Sequence, residues 1–284
     1  MKPVWVTSLL LLLSSTALQA VETDETRLPL YLGLGLGVEG YADADHNSYA
    51  RGRTVRLGWH NRWTGERARV GRPELHAQIS HTYEQEAERN DEQRYSEHVQ
   101  WFVDGVHPLR PLSGHDRPWL LSGWGWLEGG ENHQQLEERE FMGAVGAGLD
   151  KRLGRGTTWD LRLGAALACN EEEKDDDRPR IAQSIGEEQL NRNGCGYFGR
   201  WYNTITLPTA TEFGLNLDHY EGAHSYGNKE YRRSRAHLYM EVPLVRSHHL
   251  LRVMTRTIIR DSETDLIGFE DRLNQVALQY YYHF

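Results

Sequence analysis

After its first twenty residues this chain has no apolar run approaching the roughly 20 residues that a membrane helix needs. That argues against a helical membrane protein. No cysteine stands directly after the opening apolar run, which argues against a lipid anchor at a new N-terminus. Apolar character is scarce overall: hydrophobic residues are 38%, charged residues 26%, and mean hydropathy is −0.69. An exported chain this polar is either soluble or a closed barrel, in which only alternate residues meet lipid and the average stays low. The mean cannot separate the two. The period can.

What is present begins with "MKPVWVTSLLLLLSSTALQA", which supplies Lys2, an apolar run centred on Leu9–Leu13 and small residues closing at Ala20. This is the pattern of a secretory signal peptide, with Leu18 where a smaller residue is preferred, and the run is too short to span. Residues 1–20 are therefore set apart, and 21–284 is expected to form one domain.

Period two then recurs to the last residue. In "LPLYLGLGLGVEGY" Leu30, Leu32, Leu34, Leu36 and Val38 share one side, with Tyr31, three glycines and Glu39 opposite. "RTVRLGWHNRW", "ELHAQISHTY" and "YSEHVQWFVD" alternate in the same way. "PWLLSGWGWLEG" is apolar on both sides, so its facing is not readable, and "GYFGRWYNTITL" places Asn203 on its apolar side. "QVALQYYYHF" sets Val276, Leu278, Tyr280, Tyr282 and Phe284 against Gln275, Ala277, Gln279, Tyr281 and His283. The count is twelve segments, about one per 22 residues.

The connections alternate in character too. The odd ones, roughly 41–50, 84–94, 128–139, 170–194, 219–231 and 260–271, include strongly acidic stretches such as "NEEEKDDDRPR". The even ones, such as "GERARVGRP" and "DKRLGRG", are net basic, and "LPTA" at 207–210 is tight. Long polar loops on one side and short turns on the other are the habit of bacterial outer-membrane barrels. A soluble β-sandwich also has short alternating strands, but it explains neither this segregation nor the terminal aromatic. The expected fold is all-β: a single transmembrane antiparallel barrel of about twelve strands, of the outer-membrane type. Phe284 resembles the C-terminal signature that barrel-assembly machinery recognises.

The stretches "FMGAVGAGLDKRLGRGTTWDLRLGAAL" (141–167) and "LNQVALQYYYHF" (273–284) resemble the YdiY-like family of salt-induced outer membrane proteins, domain of unknown function 481. Asn47-Ser48 stands where that family has an Asn–Thr-like pair. The acidic loop and both cysteines are departures. The resemblance implies an outer-membrane barrel and brings no established activity with it.

Several constellations suggest chemistry, and each has a plainer reading. Gly35, Gly37 and Gly40 spell G-x-G-x-x-G, but a loop follows where nucleotide binding needs a helix. His46-Asn47-Ser48, with Asn61 downstream, has the His-x-Ser order of outer-membrane phospholipases; a serine nucleophile also needs a base within reach and something to orient it. Glu74, His76, His98 and Asp104 share a predicted face and could approach a metal, though without tight ligand spacing. Glu171–Glu173 and Asp175–Asp177 read as a solvated loop before they read as a cation site. Arg56, Arg162, Arg200, Arg235, Arg252 and Arg256 are expected to point inward, with Glu39, Asp160, Glu212, Asp218 and Glu241. Arginine-lined barrels of this size occur among acidic-oligosaccharide porins, a likeness of layout. Twelve strands lie between the filled eight-stranded lumen and the open sixteen-stranded one.

The function expected from this is a narrow porin-like channel or a passive envelope protein of the Gram-negative outer membrane, not an enzyme. The alternatives are a lipid-remodelling hydrolase and a barrel that binds through its acidic loops. Arg200, Arg235, Arg252 and Arg256 are the expected lumen-lining residues, with Arg252 and Arg256 hard to pair fully and a weak anion preference as the result. Cys169 and Cys195 are expected to form a disulfide, since hairpin pairing brings them level on one face in an oxidising compartment. Partners would be outer-membrane lipid and lipopolysaccharide, and assembly machinery acting through Phe284. No cofactor, metal or nucleic acid is expected, and any solute is left open.

Overall fold

The computed structural model describes residues 28–42, 47–61, 73–87, 93–112, 119–133, 137–153, 158–174, 192–223, 230–244, 248–263 and 268–284. The expected signal peptide, 1–20, lies outside them. Twelve strands follow in order: β1 (Leu30–Ala42), β2 (Asn47–His60), β3 (Glu74–Ala87), β4 (Gln93–Pro111), β5 (Leu120–His133) and β6 (Glu137–Leu153), then β7 (Thr158–Lys174), β8 (Arg192–Thr206), β9 (Glu212–Ala223), β10 (Glu230–Pro243), β11 (His249–Glu263) and β12 (Gly268–His283). Each pairs antiparallel with the next. β12 returns to β1, from Tyr31↔His283 to Ala42↔Arg272, which closes the barrel and leaves no edge.

Alternation decides which side chains meet lipid. On β1 Leu32, Leu34, Leu36 and Val38 are exposed outward, while Tyr31 is fully buried inside. On β12 Val276, Leu278, Tyr282 and Phe284 are outside, and Ala277, Gln279, Tyr281 and His283 are buried inside. Trp59, Trp159, Tyr282 and Phe284 are exposed towards one end of the barrel and Tyr49, Tyr83 and Tyr197 towards the other, like the aromatic girdles of membrane barrels. The misplaced Asn203 does face outward. There its Oδ1 accepts a hydrogen bond from Trp159 Nε1, so the amide is not left bare against lipid.

The odd connections are shorter than the sequence suggests. The strands run from 12 to 19 residues, against the 9–11 or so needed to cross a bilayer. Most of 41–50, 84–94, 128–139 and 260–271 is therefore strand and not loop. Continuing the ladder gives every backbone N–H and C=O a partner, while the polar side chains of the extended hairpins face water. The tight turn is present: Leu207 N–H donates to Thr211 O at 2.8 Å, and Ala210 takes a positive φ of 60° to make the bend.

Cys169 and Cys195 are direct register partners across β7 and β8. Among the described residues no cysteine is free, and Cys195 is disulfide-bonded.

Candidate functional site: the lumen

Inward positions of the strands carry charged and aromatic residues in quantity, and a closed barrel turns all of them towards one another. Three arginines reach across the lumen to carboxylates four or five strands away. Arg200 on β8 donates from Nη1 and Nη2 to Asp104 on β4, at 2.8 and 3.1 Å. Arg162 on β7 contacts Glu74 on β3, and its Nε lies 3.4 Å from Asp150 on β6. Arg235 on β10 bonds Glu128 on β5 at 2.6 Å and Asp218 on β9 at 2.8 Å, and Arg233 joins it on Glu128. Arg252 makes a shorter link along the wall, to Glu241 at 2.6 Å. The bidentate pairing of Arg200 fixes both position and orientation of its planar group.

Aromatic rings fill the space between the bridges. Trp124 and Trp126 of β5 face inward and pack on Phe198, at 5.6 and 5.1 Å between ring centroids. The Arg200 guanidinium lies 4.8 and 5.2 Å over these indoles, and Arg235 lies 4.3 Å over Trp126. This settles the segment whose two sides were both apolar. Trp goes to the side where a cation meets its face, and Leu127 goes to the side where lipid does. Gly164 is what lets Trp124 lie flat: a Cβ there would stand 2.3 Å from the indole nitrogen. Gly58 does the same for Tyr31, whose ring meets Tyr281 edge-on at 5.5 Å.

The wall formed by β12, β1, β2 and β3 is more open at its middle. Gly35, Gly37 and Gly52 face inward there with Thr54, Thr82, Glu39, Glu84, Arg56 and Gln275, around a cavity of about 10 Å³. That is room for a single water.

The four expected lumen-lining arginines all face inward, but the basic wall they were expected to make is largely neutralised. Arg200 and Arg235 are held by Asp104 and Glu128, and Arg252, expected to resist pairing, is held by Glu241. Arg256 alone of the four makes no ion pair among the described residues. The ion pairs of Arg233 with Glu128 and of Asp104 with Arg200 are not readable from local spacing, because each joins strands far apart in the chain.

The proposed metal quartet does not converge on one point: His76 and Asp104 are register partners across β3 and β4, but the side chains turn to separate partners. Glu74 goes to Arg162, Asp104 to Arg200, His98 to Glu84 at 3.2 Å, and His76 to Tyr31 Oη at 3.0 Å. Gly35, Gly37 and Gly40 lie within β1. Ser48 and Asn61 stand at opposite ends of β2, roughly 40 Å apart at about 3.3 Å per residue. Asn61 is instead a brace, bonded to Pro73 O at 2.9 Å and to Leu75 N at 3.0 Å. His46 and Asp175–Asp177 lie outside the described residues.

No family model matches the sequence, and no curated protein does. Solved structures match over most of their length. The translocator domain of the autotransporter NalP from Neisseria meningitidis is 12% identical with a TM-score of 0.47, covering 98% of this chain and 96% of that one. An outer membrane channel from Pseudomonas putida F1 is 12% identical with a TM-score of 0.47, covering 94% and 100%. The beta domain of the Bordetella autotransporter BrkA is 11% identical with a TM-score of 0.46, covering 90% and 100%. At these identities the likenesses carry no functional assignment.

Proposed function

We propose that this chain is a Gram-negative outer-membrane protein whose barrel is closed at rest by its own side chains. It would act as a passive envelope barrel in preference to an open porin-like channel. The observation that carries this is the set of bridges across the lumen, from Arg162, Arg200 and Arg235 to Glu74, Asp104 and Glu128. Charges paired in a low-dielectric interior attract strongly, and breaking them open for a hydrated ion costs both pairing and packing. Single-channel recording on the refolded protein tests it. The expected result is no steady conductance at neutral pH; a steady ohmic conductance in the unaltered protein would overturn it.

A narrow anion-preferring channel is the second reading, supported by Arg56 and Arg256, which make no ion pair among the described residues. It requires that Arg252→Ala together with Arg256→Ala shift the reversal potential towards cations. Neither reading assigns a catalytic activity.

Lipid and lipopolysaccharide are the partners this address implies, and the outward, exposed Arg51, Arg53 and Arg272 suit the phosphates of the latter. Phe284, exposed beside Tyr282, is the surface offered to assembly machinery. Topology is checked by epitopes on intact cells: one within 175–191 should be labelled, and one within 154–157 should not. The Cys169–Cys195 bond would be a staple near the outer end of the β7–β8 hairpin, without a redox role.

A further inference from the structure

We propose that the lumen holds one small inorganic anion, of halide size, between Arg56, His237 and Arg256. This goes beyond the closed-barrel reading and does not depend on conduction. The site lies on a continuous row of inward residues, Asn216, His237, Arg256, Gln275 and Glu39, which are successive register partners from β9 through β12 to β1. On three neighbouring strands of that row Asn216 Oδ1, His237 Nε2 and Arg256 Nε are buried without a hydrogen-bond partner, and Arg56 Nη1 is a fourth such atom. Buried polar atoms are nearly always satisfied. Four unsatisfied atoms in one part of one lumen point to a missing occupant.

Charge says which kind. His237 has Arg56, Arg235, Arg252 and Arg256 as its electrostatic neighbours. Two of these are held by carboxylates, Arg235 by Asp218 and Glu128 and Arg252 by Glu241. Arg56 and Arg256 make no ion pair among the described residues. Glu39 acts on Arg256 from a distance, while Gln275 donates to its Oε2 at 3.3 Å. Arg200 is the useful contrast: its Nε is also unpartnered, but Asp104 occupies its other two nitrogens. The charges acting directly on His237 are all guanidiniums, a local excess of positive charge at its ring. In a low-dielectric interior such an excess favours an anion over a neutral water. Turning over the Asn216 amide, whose oxygen and nitrogen are interchangeable by shape, would add a further donor.

Size limits the class. The neighbouring cavity, which Arg56, Thr54 and Gln275 line, has room for about one water. Glu39 and Glu84 line it as well, and His98 holds Glu84 at 3.2 Å, so the anion belongs on the arginine side. A sugar or a carboxylic acid of any length is too large.

The test refolds the full barrel in sodium chloride, sodium bromide or sodium gluconate at matched ionic strength and follows thermal unfolding by circular dichroism. Chloride and bromide should raise the midpoint, by a near-constant step per tenfold in concentration once the site is filled, and gluconate should not. Arg256→Gln and Arg56→Gln should each remove that dependence, while the outward Arg53→Gln should keep it. If the lumen variants do not fold, anomalous scattering from bromide in crystals of the unaltered protein decides. A peak between Arg56 and Arg256 supports the site, and no peak there overturns it. Equal midpoints in chloride and gluconate, or a halide dependence that survives both substitutions, would also overturn it.

Discussion

The two sides of the lumen meet the same requirement in opposite ways. From β4 to β10 large side chains fill the interior, and Arg162, Arg200, Arg233 and Arg235 each have a carboxylate partner on a distant strand. From β11 through β12 and β1 to β2, Gly35, Gly37 and Gly52 leave space, and Arg56 and Arg256 keep unpaired nitrogens. On the filled side one residue's position depends on a residue about a hundred places away in the chain, as for Arg233 and Glu128. On the open side Arg56 and Arg256 have no such distant partner among the described residues. The filled side should therefore be brittle to substitution and the open side tolerant.

The largest contrast should come from charges. Asp104→Ala leaves Arg200, only 7% exposed, without its bidentate partner, and such an orphaned buried charge typically costs about 3–5 kcal/mol. Arg256→Ala orphans no carboxylate, so in a halide-free buffer it should cost less than about 1 kcal/mol. Urea unfolding of the refolded barrel measures both. Equal losses would abolish the distinction between the two sides.

The filled side also carries the register partners Cys169 and Cys195, the expected disulfide. Closing the loop between Cys169 and Cys195 is worth roughly 3 kcal/mol in the chain-entropy model. Cys195→Ser should lower the urea midpoint accordingly, and protein isolated from membranes should show no free thiol. Two titratable thiols would remove the staple from the account.

Glycines sharpen the contrast at smaller scale. Gly164→Ala would drive a Cβ to 2.3 Å from Trp124 Nε1, within a packed cluster that has no room to give. The loss should be about 1–3 kcal/mol. Gly37→Ala places its Cβ 3.2 Å from Val276 O and 3.3 Å from Ala277 Cβ, which a slight shift relieves beside the cavity. Alanine also suits strand backbone better than glycine, by roughly 0.5–1 kcal/mol. Gly37→Ala should thus be near neutral. A large loss at Gly37 would mean the open side is packed after all.

How much of this the sequence disclosed follows from what alternation can carry. It placed Leu30–Val38 and Val276–Phe284 correctly, because lipid asks for apolar residues on one face and nothing else. It could not place Trp124 and Trp126, since both faces of that segment are apolar and the choice depends on Arg200 and Arg235, far away in the chain. It left Glu128 where a strand segment and a loop overlap, because a strand that has left the membrane turns polar on both faces while its ladder continues. The inward arginines were legible one at a time. Their neutralisation was not, because ion pairs between β3 and β7, β4 and β8, or β5 and β10 leave no mark on local spacing.

The smallest expected effect is a pair of hydroxyls, one on each side. Thr54 and Thr82 face each other across β2 and β3, with their oxygens 3.0 Å apart beside the cavity. Thr54→Val keeps the shape and the β-branch, and the Thr82 hydroxyl can turn to water in the cavity. The cost should fall within about 0.2–1 kcal/mol, as for other cross-strand pairs. On the filled side Ser122, 1% exposed, donates to Asp150, which also lies beside Arg162. Ser122→Ala takes a donor from a carboxylate that water cannot readily reach, so it should cost more, about 1–3 kcal/mol. If Thr54→Val proves the more damaging of the two, the open wall is not wetted in the way its glycines and unpaired arginines require.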